Sequence, residues 1–165
     1  MITFIVPARG GSQRLKNKNI KELNGKPLIF YTIESLLNHK LISRVIFTSD
    51  SRQYCDLVEN KYGKEVTIEI RPAETASNTT KVVDELERLL LCRPEYFQTE
   101  WFGMALPTAP LRDHQIVGEA LKVFEKNPKP LFSCNEYDFP VQFAFSIVED
   151  KNQNWSPVLA DSPMV

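Results

Sequence analysis

The chain has 165 residues, with 20 Lys and Arg against 21 Asp and Glu for a net charge of −1, and 42% of its residues are hydrophobic. That is apolar content enough for a packed core, which excludes disordered, collagen-like and coiled-coil classes. The balanced charge offers no basic excess for nucleic acid or an anionic membrane surface, so any polyanion it holds is expected to be small.

Residues 2–6 form a continuous apolar run that reads as a strand, too short for a signal-peptide core, and no run nears the ~20 residues of a membrane helix. Residues 7–19 are a polar, glycine-containing loop, and Asn24-Gly25 is a turn. Pro27 suits a first helical position, and Ile29, Ile33, Leu36 and Leu37 then share one face of a helix expected to end near His39. Residues 44–49 are the second strand. Asp50 or Ser51 is placed to cap the next helix, whose Tyr54, Leu57, Val58 and Tyr62 make a stripe before Gly63 stops it. Residues 66–70 read as a third strand, 81–91 as a helix burying Val82, Leu86, Leu89 and Leu90, and 101–106 as a fourth strand with Trp101 and Phe102 in a central position. On that helix Glu85, Glu87 and Arg88 are assigned to the solvated face.

Asp113 is a plausible cap for a helix with Ile116, Val117, Ala120, Leu121 and Phe124 on its core side, and residues 131–134 read as a fifth strand. Residues 143–148 and 155–159 then look like two strands of a hairpin. The alternation predicts an α/β fold: a Rossmann-like three-layer sandwich with a mostly parallel sheet and right-handed crossovers, one domain over 1–165 with a hairpin appendage at 137–165. Ligands of such sheets bind at the carboxyl ends of the strands where strand order reverses, so the loops after the first, third and fourth strands carry the expectation of a site. Residues 161–165 end without a helix or closing strand, the pattern of a chain cut short.

The 7–19 loop brings together Arg9, Arg14, Lys16 and Lys18, two glycines, a hydroxyl and amides directly after a strand. Gly10 and Gly11 would let backbone N–H groups approach phosphate oxygens, and four cations match roughly the charge of a triphosphate. It is neither a Walker A loop nor a Gly-x-Gly-x-x-Gly fingerprint, which disfavours a dinucleotide oxidoreductase; a solvated basic loop is the plain alternative. Arg71, after a strand and before Pro72, serves either a ligand or a surface ion pair. Arg112 serves either a sugar carboxylate or a salt bridge at a helix entry. His39 and His114 lack neighbouring ligands in sequence and read as surface or capping residues. Cys55, Cys92 and Cys134, odd in number and without a Cys-x-x-Cys pair, argue against disulfides and zinc, favour burial as small apolar groups, and point to a reduced, cytoplasmic compartment.

Several segments in register, Pro7-Ala8-Arg9-Gly10-Gly11-Ser12, Lys18-Asn19-Ile20, Asn24-Gly25-Lys26-Pro27-Leu28-Ile29, Thr48-Ser49-Asp50, Arg71-Pro72-Ala73-Glu74 with Ala76-Ser77-Asn78-Thr79, and Pro107-Thr108-Ala109-Pro110-Leu111-Arg112, resemble the acylneuraminate cytidylyltransferases, including those for pseudaminic and legionaminic acids. The resemblance implies transfer of a cytidylyl group from CTP to an acidic nine-carbon 2-keto sugar with release of pyrophosphate. It implies Arg9 and Lys18 as catalytic residues. Ala8, Gly10, Gly11, Ser12, Arg14, Asn19, Arg71, Ala76, Ser77, Asn78 and Thr79 would contact the nucleotide, and Pro107, Thr108 and Arg112 the sugar.

Leu106, Ala109, Asn78 and Val82 depart from the residues usual in those motifs. The Asp-x-Asp motif that binds Mg²⁺ in the family, and the segment that closes its homodimer, are absent from the chain. No metal-binding residue is therefore assigned, although the resemblance implies Mg²⁺. The alternatives are a weakly active or inactive CTP-binding remnant, and the related chemistry on an eight-carbon sugar acid.

Overall fold

The computed structural model describes residues 1–12, 15–77 and 80–134, and the backbone of 145–147 and 155–157. The chain divides into two compact units, Met1–Pro128 and Lys129–Val165. The larger unit begins with strand β1 (Ile2–Pro7), followed after the loop by a single 3-10 turn, Lys18–Ile20. Two short antiparallel strands, β2 (Glu22–Leu23) and β3 (Lys26–Pro27), flank Asn24 and Gly25, whose φ angles of 50° and 74° make the left-handed two-residue turn that Asn-Gly favours.

Helix α1 (Leu28–Leu36) buries Ile29, Ile33 and Leu36 completely. It stops three residues earlier than the apolar spacing suggests because Asn38 takes a φ of 66°, outside helical space, and turns the chain into β4 (Ile42–Ser49). Ser51, not Asp50, caps α2 (Arg52–Tyr62) by accepting the Tyr54 N–H, and Gly63 at φ 53° ends it. Strand β5 (Thr67–Ile70) follows, then α3 (Val82–Cys92), β6 (Trp101–Met104) and α4 (His114–Lys126), whose Asp113 cap accepts the Ile116 N–H at 2.8 Å.

The four long strands are parallel in the order β5-β4-β1-β6, with Ile5 opposite Ile46 on one side and Met104 on the other. Crossovers run outward from β1 to β4 to β5 and then return to β6, so the order reverses between β1 and β6. The core lies along β1 and β4, where Ile5, Val6, Ile46 and Phe47 are fully buried. Helix α2 packs on β4 and β5, and α1 packs on β1 and α4.

Four expectations are corrected. β6 ends the described sheet instead of lying at its centre, and Phe102 is 45% exposed. On α3 only Leu89 of the expected stripe is fully buried. Glu85, one turn earlier, is completely buried while Val82 and Leu90 are exposed, because a cluster of arginines draws the carboxylate inward. On α4 the core side is narrower than the pattern suggests: Val117 and Leu121 are buried, and Ile116 is exposed. Residues 131–134 form no strand.

In the second unit β7 (Phe145–Ile147) pairs antiparallel with β8 (Trp155–Pro157), Ser146 opposite Ser156. Both strands fall within the runs expected to form a hairpin, and the rest of those runs lies outside the described residues.

Candidate functional site

The loop after β1 is a folded wall. The Ala8 N–H donates to the Thr48 carbonyl at 2.9 Å, prolonging the β1–β4 ladder beyond Pro7. The Gly10 N–H donates to Asp50 Oδ1 at 2.9 Å, and the Ser12 N–H to the Gly10 carbonyl at 2.9 Å. A Cβ at Gly10 would stand 3.0 Å from Ser51 Cβ, a crowded contact, so the close passage over the start of α2 favours glycine. The return of the loop is held by buried Asn19, whose Nδ2 donates to the Arg9 carbonyl at 3.1 Å.

Between this wall and two others lies a cleft of about 750 Å³. Arg9, Ser12, Leu15, Lys18 and Asn19 line it from the β1 loop. Arg71, Thr75, Ala76 and Ser77 line it from the loop after β5, joined by Thr80, Lys81 and Val82 at the start of α3. Leu106, Pro107 and Thr108 complete it from the loop after β6. The cleft sits at the carboxyl ends of the parallel strands, spanning the position where strand order reverses. Arg9 reaches across it, Nη1 donating to the Ser77 carbonyl at 3.2 Å. The Ser77 and Thr80 hydroxyls are 2.6 Å apart and fix the second wall.

Charge is distributed asymmetrically. Among the described residues the lining carries four cations, Arg9, Lys18, Arg71 and Lys81, and no carboxylate. An anion of several charges fits such a surface. Arg71 is 7% exposed; its Nη1 lies 3.8 Å from Glu85 and its Nη2 3.9 Å from Asp50, and its buried Nε has no hydrogen-bond partner among the described residues. Arg71 thus lines the cleft, and its ion pairs are buried ones, not the surface pair left open from the sequence.

Of the residues singled out from the sequence, the structure brings Arg9, Lys18, Ser12, Asn19, Arg71, Ala76, Ser77, Pro107 and Thr108 to the cleft. Ala8 lies buried beneath it, Gly10 directs its N–H to Asp50, and neither they nor Gly11 line it. Arg112 also stays outside the lining: its Nη2 donates to the Leu106 carbonyl at 3.1 Å and to the Thr32 hydroxyl at 3.3 Å, bracing the loop from behind, and burial pulls its guanidinium below its ordinary pKa. Arg14, Asn78 and Thr79 lie outside the described residues. Sequence reasoning missed Lys81 and Leu15. Lys81 opens the helix predicted over 81–91, next to a motif, and that position was its only signal.

Mg²⁺ requires oxygen ligands, usually one or more carboxylates beside the phosphates. The described residues hold no group of three His, Cys, Asp or Glu able to take a metal, and the carboxylates that touch the cleft's lining are already engaged: Asp50 by Gly10 and Arg71, Glu85 by Arg88 and Thr48, and Asp84 by the Lys81 N–H. The described residues do not fit that ion, and no step below runs through it.

A family model described as cytidylyltransferase matches residues 3–144. The chain is 33% identical over 149 residues to a pseudaminic acid cytidylyltransferase of Campylobacter jejuni serotype O:2, covering 88% of this chain and 63% of that protein. It is 37% identical over 124 residues to an N-acylneuraminate cytidylyltransferase of Escherichia coli O18:K1:H7, covering 75% of this chain and 28% of that protein. A CMP-N,N'-diacetyllegionaminic acid synthase of Legionella pneumophila is 29% identical over 155 residues, with coverage of 92% and 65%. Among solved structures, a CMP:2-keto-3-deoxy-manno-octonic acid synthetase complexed with CTP superposes with a TM-score of 0.59 at 19% identity, covering 78% of this chain and 49% of that one, a likeness of fold. The chain thus spans about two thirds or less of the length of the relatives it matches.

Proposed function

Because the chain belongs to the cytidylyltransferase family, we propose that it binds CTP in the cationic cleft and transfers the cytidylyl group to an acidic 2-keto sugar, releasing pyrophosphate. The observation that carries this reading is the lining with Arg9, Lys18, Arg71 and Lys81, and no carboxylate among the described residues, at the switch point of the sheet. A nine-carbon sugar acid is the preferred acceptor, since the relatives with the better coverage are named for pseudaminic and legionaminic acids. The eight-carbon acid has a likeness of fold alone in its favour.

In the reaction the anomeric hydroxyl of the sugar attacks the α-phosphorus as pyrophosphate leaves in line, so negative charge grows on the α-phosphoryl oxygens and on the leaving group. Arg9, already steered across the cleft by its bond to Ser77, and Lys18, on the 3-10 turn, are the cations proposed to meet that charge. Because Arg9 is held by that bond, little reorganisation of it is needed at the transition state. Arg71, Ala76 and Ser77 would border the nucleoside, with Arg14, Asn78 and Thr79 assigned by motif; Pro107 and Thr108 would border the sugar. Arg112 supports this edge through Leu106.

Calorimetry with CTP and assay of pyrophosphate release test the reading together. Arg9→Ala is expected to lower kcat/KM by on the order of a hundredfold or more with the fold intact. Near-normal turnover in that variant removes Arg9 from the mechanism, and CTP binding without turnover in the unaltered chain favours a binding remnant. A homodimer and a cytoplasmic location belong to the same reading. No helix among the described residues is long and apolar enough to cross a membrane, and light scattering on the purified protein tests the dimer.

A further inference from the structure

Beneath the cleft a buried ionic relay runs through α3. Glu69 accepts from Arg88 Nη2 at 3.2 Å, Arg93 Nε at 3.0 Å and the Tyr96 hydroxyl at 3.1 Å. Arg88 passes to Glu85 through Nε at 2.9 Å and Nη2 at 3.0 Å. Glu85, completely buried, also accepts the Thr48 hydroxyl at 2.6 Å and ends 3.8 Å from Arg71 Nη1. On the far side of Arg71 stands Asp50, which holds Gly10.

A carboxylate with no solvent exposure is costly, and Glu85 is compensated by two arginines used differently. Arg88 gives it hydrogen bonds. Arg71 stands beyond hydrogen-bond distance, so Glu85 acts on it through charge in a poorly screened interior and leaves its N–H donors uncommitted. With Glu85 at one Nη and Asp50 at the other, the guanidinium is flanked at both ends, while its buried Nε, like that of Arg112, has no partner among the described residues. Because the side chain lines the cleft, an acceptor supplied by a ligand can satisfy the donors that neither carboxylate takes.

We infer that Glu85 is a positioning residue for ligand binding: it holds the Arg71 guanidinium at the cleft wall so that its uncommitted N–H donors meet an acceptor oxygen of the nucleotide, although Glu85 itself touches no ligand. Only the identity of the ligand rests on the reading above.

A double-mutant cycle read by CTP calorimetry tests this, since groups acting through one another are non-additive. Glu85→Gln, nearly isosteric but uncharged, is expected to weaken CTP about tenfold in the native background and less than twofold in an Arg71→Ala background. Glu69→Gln, at the outer end of the relay and without contact to Arg71, is expected to lower Tm while leaving CTP affinity unchanged. Equal losses in both backgrounds, or no loss in either, overturn the inference, because a merely structural Glu85 would act regardless of Arg71. Should Glu85→Gln fail to fold, Glu85→Asp, which keeps the charge but withdraws it from Arg71, runs through the same cycle with the same expectations. If the unaltered protein binds no CTP, the cytidylyl reading falls, and the cycle is repeated with inorganic tripolyphosphate, on which the positioning role stands or falls separately.

Discussion

The carboxylate of Asp50 accepts the backbone N–H of Gly10 at 2.9 Å, joining residues forty positions apart. One bond thereby ties the cationic loop after β1 to the end of β4, and the same carboxylate lies 3.9 Å from Arg71. The two walls of the cleft share an anchor.

Asp50→Ala is accordingly expected to release the loop, weakening CTP about tenfold and lowering stability by ~1–2 kcal/mol, because Gly10 loses a charge-assisted acceptor. Gly10→Ala is expected to reproduce the loss of affinity by a different cause, its Cβ meeting Ser51 at 3.0 Å. Calorimetry beside urea unfolding checks both; full affinity in Asp50→Ala would show that the loop keeps its shape unaided.

Gly103 on β6 faces the ring of Phe4, and an added Cβ would lie 2.5 Å from the nearest ring carbon. Gly103→Ala should therefore cost ~2–3 kcal/mol through overpacking, and Phe4→Leu in the same chain should recover part of it. Denaturant midpoints of the two single variants and the double variant measure this.

Cys55 is buried, and its surroundings raise the thiol to about 11, first by burial and then by the charge of Asp56, whereas Cys92 and Cys134 are exposed. The expectation that all three are buried is thus corrected for two. Native protein treated with a thiol reagent at neutral pH should show two fast-reacting groups, Cys92 and Cys134, and a third only after unfolding. Rapid labelling of Cys55 in the native protein would contradict its placement.

His39 and His114 stack at 3.7 Å between ring centroids, joining the segment after α1 to the first turn of α4. Burial, and secondarily the charge of His114, pull the His39 pKa below its ordinary 6.5. Its folded-state value is lower than its unfolded one, so the unfolded chain binds the extra proton first. The contribution is fully present above pH 6.5 and is lost as pH falls from there through the lower folded-state value. Melting temperatures should hold steady from pH 8 to 7 and decline below about 6.5, and His114→Gln should flatten part of the decline.

Local order was legible from residue types. The Asn24-Gly25 turn, the stop at Gly63 and the Asp113 cap depend on φ preferences and short-range hydrogen bonds that travel with the residues themselves. So did the location of the cleft, since alternating strands and helices fix which strand ends can bind and the basic loop names its own wall. The inward turn of Glu85 was not legible. A carboxylate beside a leucine stripe, with Arg88 one turn on along the same helix, reads as solvent-facing until Arg71 and Thr48 are brought against it from two other segments. The roles of Asp50 and Arg112 and the stacking of His39 on His114 are of the same kind. Hydrophobic period and turn chemistry are properties of neighbours along the chain, whereas a charge's worth depends on what surrounds it in space, and only folding chooses those surroundings.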